Sequence, residues 1–510
     1  MKKFDIINTP LTGTNLIEAS AGTGKTYAIS GLFVRLIVES QFTADQILVV
    51  TFTKAATEEL KERIRKKLIQ AKEAFIKGAG KDNFINELVQ KTDHHKQAAE
   101  RLQDALVDFD RAAIFTIHGF CQRILHENAF ETQSLYDSEL IADQESLLME
   151  VAEDFWRKKI YRQPSEFISY ILKNKKITGP EEFLKLLTRA KTRDMKIIPG
   201  MKKAKIKSLD TYRDILKRLK SRWHDSRDEV INLLNHPSLK ANIYGSLKVK
   251  SMVDDMDYFT DLKNNGFPLF KKFDNFTTTK IIASTKKNQK AVRDDFFNFC
   301  DELRHIYDEL ETEFDHYTLF LKTQLFEYAK SEIIERKKKK NTQFYDDLLY
   351  NVLDALKQDA KGGKNTLSKA VRQKYQAALV DEFQDTDSVQ YEIFTRLFSL
   401  KENGLFMIGD PKQAIYGFRG ADIFSYMKAA SSADDKYTLF ENWRSKSGLI
   451  TAVNTIFSNV KLPFIFDKIR FDKAEPANKP DVKSGVKPNI QNDKQDALLK
   501  LWYLKSKGEK

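Results

Sequence analysis

The chain has 510 residues, of which 41% are hydrophobic and 31% are charged, a balance typical of a soluble globular protein with about three domains. Two cysteines are too few for a disulfide framework or a cysteine metal cluster, and they indicate a reduced setting. The formal net charge of +13 fits a polyanionic partner. An excess of lysine also raises solubility, however, so charge alone does not decide for nucleic acid.

The amino terminus predicts neither an export signal nor a membrane span. Lys2 and Lys3 resemble the basic start of a signal peptide, but Asp5, Asn8 and Pro10 interrupt any apolar core. No uninterrupted apolar run in the sequence approaches the ~18 residues that a membrane span needs. We therefore expect a cytoplasmic protein without a membrane partner.

A short apolar strand runs into a glycine-rich turn and a helix at residues 15–26, Asn-Leu-Ile-Glu-Ala-Ser-Ala-Gly-Thr-Gly-Lys-Thr. Gly22 and Gly24 let successive N–H groups point inward at a helix N-terminus, which favours phosphate binding. Lys25 would then contact the β- and γ-phosphates, and the Thr26 hydroxyl would coordinate Mg²⁺. The predicted nucleotide-binding residues are Ala19, Ser20, Ala21, Gly22, Thr23, Gly24, Lys25 and Thr26.

This loop departs from the usual Gly-x-x-x-x-Gly-Lys-Ser/Thr pattern, because Ala19 stands at the position of the first glycine. A coincidental Gly-Lys-Thr turn is the competing interpretation. The order of strand, turn and helix, with the helix predicted over residues 27–39, favours the phosphate loop.

Polar residues also follow the next two predicted strands. Residues 46–53 predict a buried parallel strand, and Phe52 and Thr53 lie at its carboxyl end, where open α/β sheets bind ligands. Residues 112–125 place His118 at a strand-to-helix junction. Taken singly, His118 is more typical of a packed, hydrogen-bonded side chain than of a catalyst.

Residues 131–341 show long helical periodicity, few glycines and repeated lysine-rich faces, and they predict a separate helical domain. Aromatic residues are interleaved with lysines, as at Phe270, Phe273 and Phe276, and bases can stack on rings beside a basic track. Rings at such spacings are more often part of a core. The prediction that this domain binds DNA therefore depends mainly on its charge.

Two acids end another apolar strand in the run Ala-Ala-Leu-Val-Asp-Glu-Phe-Gln-Asp-Thr-Asp at residues 377–387. We expect Asp381 to hold Mg²⁺ and Glu382 to orient and deprotonate an attacking water. The acids could instead cap a helix. The apolar residues before them and the distant Gly-Lys-Thr favour the catalytic interpretation.

Residues 405–422 and 437–445 contain two more strand ends. In the first, Gln413 can sense the γ-phosphate, and flat side chains follow it closely at Tyr416, Phe418 and Arg419. In the second, Arg444 is a candidate phosphate clamp.

These motifs resemble those of superfamily 1 DNA helicases of the UvrD/Rep type, and among them the RecB group, the exodeoxyribonuclease V beta chains. The matching segments are Thr-Ile-His-Gly-Phe-Cys at 116–121, Asp-Glu-Phe-Gln-Asp-Thr at 381–386, and Gly-Asp-Pro-Lys-Gln with Ile-Tyr-Gly-Phe-Arg-Gly-Ala-Asp at 409–422. That group also has alanine at the position of Ala19.

The resemblance implies ATP and Mg²⁺ as cofactors and 3′-to-5′ DNA unwinding within a RecBCD-like recombination and double-strand-break repair nuclease complex. The implied partners are single-stranded and duplex-end DNA and RecC-like and RecD-like subunits. By resemblance, nucleotide chemistry is assigned to Lys25, Thr26, Asp381, Glu382, Gln413 and Arg444, and contact with single-stranded DNA to Phe52, Thr53, His118, Tyr416, Phe418 and Arg419.

The sequence departs from the family in two respects. No glutamine precedes Gln41, so the adenine-reading glutamine of many relatives is absent, and adenine selectivity is expected from elsewhere, such as the backbone at Pro10 and Leu11. The Gly-Leu-Glu motif and the arginine finger of the second motor lobe do not occur among the 510 residues. We therefore expect this chain alone to bind nucleotide without unwinding DNA.

The predicted fold is an α/β P-loop NTPase with a RecA-like parallel sheet, a large helical insertion and a partial second lobe. The predicted domains are a first motor lobe at residues 1–130 and 342–436, the DNA-binding insertion at 131–341, and a truncated start of the second lobe at 437–510. Two alternatives stay open. One is a non-catalytic module that binds ATP, DNA or a partner subunit, and the other is a P-loop ATPase without a DNA role.

Overall fold

The structure is a computed structural model that describes residues 1–132, 138–141, 143–189, 197–201, 203–363, 365–399, 401–415, 417, 422–464, 466–477 and 499. The chain divides into two compact units. The first, called the sheet unit, comprises Met1–Leu140 and Gln343–Lys510, and the second, called the helical unit, comprises Ile141–Thr342.

The first segment of the sheet unit alternates strands with helices. Its elements are β1 (Lys2–Lys3), β2 (Gly13–Ala19), α1 (Lys25–Val38), β3 (Ile47–Thr51), α2 (Lys54–Lys77), α3 (Asn83–Lys91), α4 (His95–Val107), β4 (Ile114–Thr116), α5 (Ile117–Glu127), α6 (Ala129–Thr132) and β5 (Glu139–Ile141).

The chain then forms the helices of the helical unit. They are α7 (Glu145–Phe155), continued by one π-helical turn, α8 (Ser165–Lys173), α9 (Pro180–Arg189), α10 (Leu209–Leu234), α11 (Ala241–Tyr244), α12 (Ser246–Thr260), α13 (Thr278–Ala283) and α14 (Asp295–Lys340).

The second segment of the sheet unit begins with β6, which spans the boundary. Its elements are β6 (Thr342–Phe344), α15 (Tyr345–Lys361), α16 (Thr366–Lys374), β7 (Ala377–Val380), α17 (Ser388–Phe398), β8 (Gly404–Gly409), α18 (Ile423–Ser432), β9 (Asp435–Leu439), β10 (Glu441–Asn442), α19 (Ser447–Ser458) and β11 (Glu475–Pro476).

Seven strands form a parallel sheet in the order β1, β9, β2, β8, β7, β3, β4. Successive residues of each central strand enter opposite cores, because side chains alternate across a sheet. Ile17 and Val49 lie in one core with α1 and α2, and Leu16 and Leu48 lie in the other with α15 and α17. Burial on both faces explains the continuous apolar runs of these strands, and the predicted parallel α/β fold is confirmed.

The structure changes one expected boundary. The break predicted at residue 437 falls inside β9, which pairs with β1 and β2 in the main sheet. Residues 437–439 therefore belong to this sheet and not to the region that follows it. The short strands β10 and β11 pair separately.

Aromatic side chains form much of the core of the helical unit. Phe273 and Phe276 are buried, and Trp223 packs on Phe296 with 5.0 Å between the ring centroids. Because these phenylalanines are inside the unit, the alternative that they belong to the core holds, and they are not free to stack on bases. Among the described helices, none has the length and apolar composition required to cross a membrane.

Candidate nucleotide site and nucleic-acid interface

The loop between β2 and α1 curls around the N-terminus of α1. Gly22 and Gly24 have φ values of 82° and 99°, in the left-handed region that glycine adopts without strain. Thr23 closes the turn by donating its N–H and its hydroxyl to the Ser20 carbonyl at 3.1 and 2.8 Å. No side chain caps α1, which begins at Lys25. Its first N–H groups are therefore available to an anion, with the helix dipole favouring negative charge.

A second wall of the loop comes from the segment after β10. The Asn442 side-chain amide donates to the Ala21 carbonyl at 3.0 Å, and the Trp443 N–H donates to the Gly22 carbonyl at 2.8 Å. A Cβ atom on Gly22 would lie 2.8 Å from Cβ of Arg444, so this close approach requires glycine. These contacts place Arg444 directly beside the loop.

Arg444 is exposed, and within the described part of the chain its guanidinium has no hydrogen bond or ion pair. Trp443 is 51% exposed. A cation and an indole ring therefore flank the loop with their functional groups uncommitted. The sequence analysis selected Arg444 as a candidate phosphate clamp but did not single out Trp443.

Lys25 and Glu382 meet across the site. Lys25 Nζ lies 2.5 Å from Glu382 Oε2, although the two residues are far apart in the sequence. Glu382 has φ 47°, a left-handed conformation, and its N–H donates to Asp381 Oδ1 at 2.9 Å. The Asp381 N–H in turn donates to the Val50 carbonyl at 2.9 Å, which fixes the turn at the end of β7 against β3.

Burial of Asp381, together with the nearby Glu382 charge, raises the pKa of Asp381 to about 6, and the Lys25 charge opposes this rise. A cation at this position would stabilise the ionised form. The described residues contain no group of three or more His, Cys, Asp or Glu side chains that could hold a metal ion. Mg²⁺ commonly needs only one or two protein ligands beside phosphates and waters, so the Thr26 hydroxyl and the Asp381 carboxylate would suffice as its protein ligands.

Gln413 lies in the turn Pro411–Gln413 after β8, at the same edge of the sheet. Its side-chain N–H donates to Asp410 Oδ2 at 2.6 Å, and Lys412 Nζ lies 2.9 Å from Asp410 Oδ1. Because β8 pairs with both β2 and β7, this turn lies between the phosphate loop and the turn of Glu382.

Three of the predicted DNA contacts are described. Phe52 lines a small cavity together with Asp381 and Glu382. Thr53 caps α2, because its hydroxyl accepts the Ala56 N–H at 3.1 Å. His118 is half-buried edge-to-face against Tyr345, with 6.1 Å between the ring centroids.

Burial lowers the pKa of His118, with partial opposition from the Asp346 charge. This residue is therefore neutral near pH 7 in the structure, and it can offer a ring face or one N–H but no full charge. Tyr416, Phe418 and Arg419, the other predicted DNA contacts, lie outside the described residues.

The helical unit contains a cleft of about 910 Å³. Its basic lining side chains are Arg213, Lys217, Lys220, Arg227 and Lys263. The two arginines are paired with Glu166 and Asp257, and Lys220 donates to two backbone carbonyls. Lys217 and Lys263 have no ion pair within the described part of the chain, and they remain available to a phosphate.

Sequence reasoning did not single out Gln384, Asn442 and Trp443. The available signals were their positions, since Gln384 separates the acids of residues 381–386, and the other two immediately precede Arg444. What each one does depends on contacts with a segment distant in the sequence, which a motif alone does not specify.

Comparison with known proteins places these motifs in a family. The sequence model of the UvrD/REP helicase N-terminal domain matches residues 2–434. The chain belongs to the UvrD/REP helicase family. This membership confirms the resemblance that the motifs predicted.

Curated relatives of this UvrD/REP helicase chain include RecBCD enzyme subunit RecB from several bacteria. The protein of Escherichia coli (strain K12) is 32% identical over 517 residues, which cover 99% of this chain and 42% of that protein. The protein of Haemophilus influenzae (strain ATCC 51907 / DSM 11121 / KW20 / Rd) is 35% identical over 510 residues, 91% of this chain and 41% of that protein. The protein of Mycobacterium tuberculosis (strain ATCC 25618 / H37Rv) is 29% identical over 466 residues, which cover 91% of this chain and 31% of that protein. The chain spans about two fifths of the length of the first two of these curated relatives.

Proposed function

We propose that this chain binds Mg·ATP at residues 19–26 and hydrolyses it in response to DNA, as the nucleotide-binding part of a RecB-type helicase subunit. The observation that carries the proposal is the contact between Lys25 and Glu382 beside an uncapped helix N-terminus. It brings the phosphate-binding cation and the proposed base into one site. Helicase domains of this superfamily use a nucleotide and a divalent metal, which supports the choice of cofactors.

The chemistry follows from the charges at this edge of the sheet. The N–H groups of the loop and Lys25 bind the phosphates, Glu382 accepts a proton from the attacking water, and Gln413 and Arg444 contact the γ-phosphate. Mg²⁺, held by Thr26 and Asp381, would neutralise charge on the phosphates. Without nucleotide, Lys25 and Glu382 neutralise each other. A bound phosphate competes for Lys25 and releases the Glu382 carboxylate to orient water.

The proposed coupling to DNA uses the carboxyl ends of β3 and β4. Phe52 lines the same cavity as Asp381 and Glu382. A shift of the turn at residues 381–385, called the catalytic turn, would therefore reach Phe52 directly. We propose that single-stranded DNA contacts Phe52, Thr53, His118, Tyr416, Phe418 and Arg419, and that the cleft of the helical unit contacts further phosphates.

For the whole protein, we propose ATP-driven 3′-to-5′ unwinding from duplex ends in a cytoplasmic complex with RecC-like and RecD-like subunits. Support comes from the relatives, whose printed name is RecBCD enzyme subunit RecB. Because residues 437–439 lie in the main sheet, the proposed start of a second motor lobe is reduced from residues 437–510 to residues 440–510.

The proposal is tested by titrating the purified chain with a fluorescent ATP analogue and by measuring phosphate release with and without oligo(dT). Binding together with DNA-stimulated hydrolysis is the expected result. Binding without hydrolysis would favour the non-catalytic module, and hydrolysis indifferent to DNA would favour an ATPase without a DNA role. Absence of binding would overturn the nucleotide site itself.

A further inference from the structure

Gln384 is a buried amide between two motifs of the proposed site. It lies in the short turn Phe383–Asp385 that follows Glu382, and only 2% of its surface is exposed. A buried amide requires partners for both its donor and its acceptor end. The two ends of Gln384 find these partners in the turns that follow two neighbouring strands, β7 and β8.

The donor end of Gln384 faces the proposed base. Its Nε2 donates to Glu382 Oε2 at 2.7 Å, the same oxygen that lies 2.5 Å from Lys25 Nζ. If a phosphate draws Lys25 away, the hydrogen bond from Gln384 remains to hold that carboxylate oxygen. A hydrogen bond to a charged group is stronger than one between neutral groups, so this contact can fix the orientation of Glu382.

The acceptor end of Gln384 faces β8. Its Oε1 accepts the Asp410 N–H at 2.9 Å, and a Cβ atom on Gly409 would lie 2.5 Å from the same Oε1. This backbone contact determines which end of the amide is which, because only the carbonyl end can accept an N–H. The NH₂ group is thereby directed to Glu382.

The contacts continue to the proposed γ-phosphate sensor. The side chain of Asp410 accepts from Gln413 Nε2 at 2.6 Å and from the Lys412 N–H at 3.1 Å. An unbroken series of polar contacts therefore runs from Lys25 through Glu382, Gln384 and Asp410 to Gln413.

We propose that Gln384 is a positioning residue that fixes the Glu382 carboxylate for hydrolysis and transmits nucleotide occupancy to the turn that carries Gln413. The inference rests on the proposed function. It adds a role for a residue that acts through Glu382 and Asp410. Loss of the amide leaves the phosphate loop intact but separates the catalytic turn from the end of β8.

The test combines hydrogen–deuterium exchange with kinetics, using the full chain with and without Mg·ATPγS. The variants are Gln384→Met, which removes both hydrogen bonds at similar volume, and Gly409→Ala. The Cβ added in the second variant would lie 2.5 Å from Gln384 Oε1 and 3.0 Å from the backbone nitrogens of Phe383 and Gln384, so it displaces the amide together with its turn. Gln376→Met is the matched control. Gln376 lies at the opposite, amino end of β7, where its backbone supplies the described hydrogen bonds.

In the unsubstituted chain, we expect nucleotide to protect residues 20–26 and residues 404–413. Gln384→Met and Gly409→Ala should keep the protection of residues 20–26 and lose the protection of residues 404–413. Gln376→Met should keep the protection of both segments. Where hydrolysis is measured, Gln384→Met should lower kcat about tenfold or more with KM within about threefold, since ground-state binding is retained.

The outcomes separate the two claims. Absence of protection at residues 20–26 in the unsubstituted chain would overturn the nucleotide site, and the role of Gln384 with it. Protection of residues 404–413 that persists in a folded Gln384→Met or Gly409→Ala variant would overturn the role of Gln384 alone. An equal loss in Gln376→Met would overturn it too, because the effect would then be a general loosening of the sheet.

Discussion

At the scale of single residues, Lys25 is assigned to nucleotide binding alone and has no expected role in the stability of the fold. Only 14% of its side chain is exposed, and its ammonium group lies against Glu382 at the mouth of the loop and outside the apolar core. Lys25→Ala should therefore abolish Mg·ATP binding with little change in melting temperature, as measured by analogue titration and thermal unfolding.

Lys66→Ala is the matched control for this change. Lys66 is paired with Glu62 on the solvent face of α2, and its loss should affect neither quantity. Near-normal nucleotide affinity in Lys25→Ala would remove the assignment of the phosphate loop.

Glu382 can be separated from Lys25 in function, because its proposed task begins after binding. Glu382→Gln keeps the shape and an acceptor oxygen but removes the base, so nucleotide affinity should persist while hydrolysis falls by about 10²–10⁴. Glu392→Gln, which removes a half-buried carboxylate of α17 paired with Arg396 and Lys357, controls for loss of a carboxylate. Retention of the hydrolysis rate in Glu382→Gln, measured by phosphate release, would exclude Glu382 as the base.

Trp443 offers a test of what reads the base of the nucleotide. The backbone N–H of Trp443 donates to the Gly22 carbonyl, and about half of the residue is exposed. Stacking of the indole ring on adenine would therefore contribute about 1–3 kcal/mol. Trp443→Ala should weaken ATP binding about tenfold or more and leave tripolyphosphate binding unchanged, both measured by calorimetry. Tyr258→Ala, a substitution of an exposed ring in the helical unit, should change neither. Equal losses for ATP and tripolyphosphate would instead indicate damage to the loop.

At the scale of elements, the strands that bear the site were predictable and their order was not. β3, β7 and β8 are nearly continuous apolar runs, and β2 has the apolar pair Leu16 and Ile17 at its centre. Small or polar residues follow each of them, and this pattern can be recognised in the sequence alone. That β8 lies between β2 and β7 depends on crossovers that no local pattern encodes. The contacts of Gln384 with both Glu382 and Asp410 were therefore beyond sequence reasoning.

For the aromatic residues of the helical unit, the sequence pattern allowed two interpretations. Phe273 and Phe276 lie between lysines, with Lys271 and Lys272 before them and Lys280 after them. This pattern fits both a base-stacking track and an amphipathic core. Their burial decides for the core. The positive charge on which the predicted DNA contact depends is instead found at Lys217 and Lys263, which line the cleft of the helical unit.

Helices α8 and α10 are joined by an ion pair whose loss should be measurable. Glu166 is buried and accepts two hydrogen bonds from Arg213, at 2.7 and 2.8 Å. Burial pushes the pKa of Glu166 up, but the Arg213 contacts bring it below its ordinary value of 4.5. The pair therefore stabilises the fold above pH 4.5, and this contribution is lost as the pH falls further.

Arg213→Met should lower the free energy of unfolding by about 2 kcal/mol at pH 7, because a buried carboxylate is left unpaired. The deficit should shrink in acid as Glu166 becomes protonated. Denaturant unfolding at several pH values measures both effects. Arg218→Met, at another position of α10, breaks the exposed pair with Glu302 of α14 and should cost less than about 1 kcal/mol. A pH-independent deficit would mean that Arg213 acts through packing alone.

At the scale of the whole molecule, the helical unit interrupts the sheet unit between β5 and β6, and these two strands pair with each other. Closing a short loop between paired strands costs little entropy. Replacing residues 142–341 with a short Gly-Ser linker should therefore leave a folded sheet unit that still binds nucleotide. It should lose affinity for DNA together with part of the salt dependence, since fewer phosphates are neutralised.

Circular dichroism, analogue titration and oligonucleotide binding at several salt concentrations test this replacement. A linker variant of the same length and composition placed in an exposed loop controls for the insertion itself. DNA affinity that matches the intact chain would restrict the DNA contacts to the sheet unit.

The fastening of Asn442 and Trp443 onto the phosphate loop has a mechanical consequence. The backbone that leaves the main sheet after β9 does not depart freely, because it is first tied to the carbonyls of Ala21 and Gly22 and only then enters α19. A rearrangement that moves the Ala21 and Gly22 carbonyls must therefore either carry Asn442 and Trp443 with it or break these two hydrogen bonds. The path of the backbone from β9 to α19 is thus coupled to the conformation of the phosphate loop.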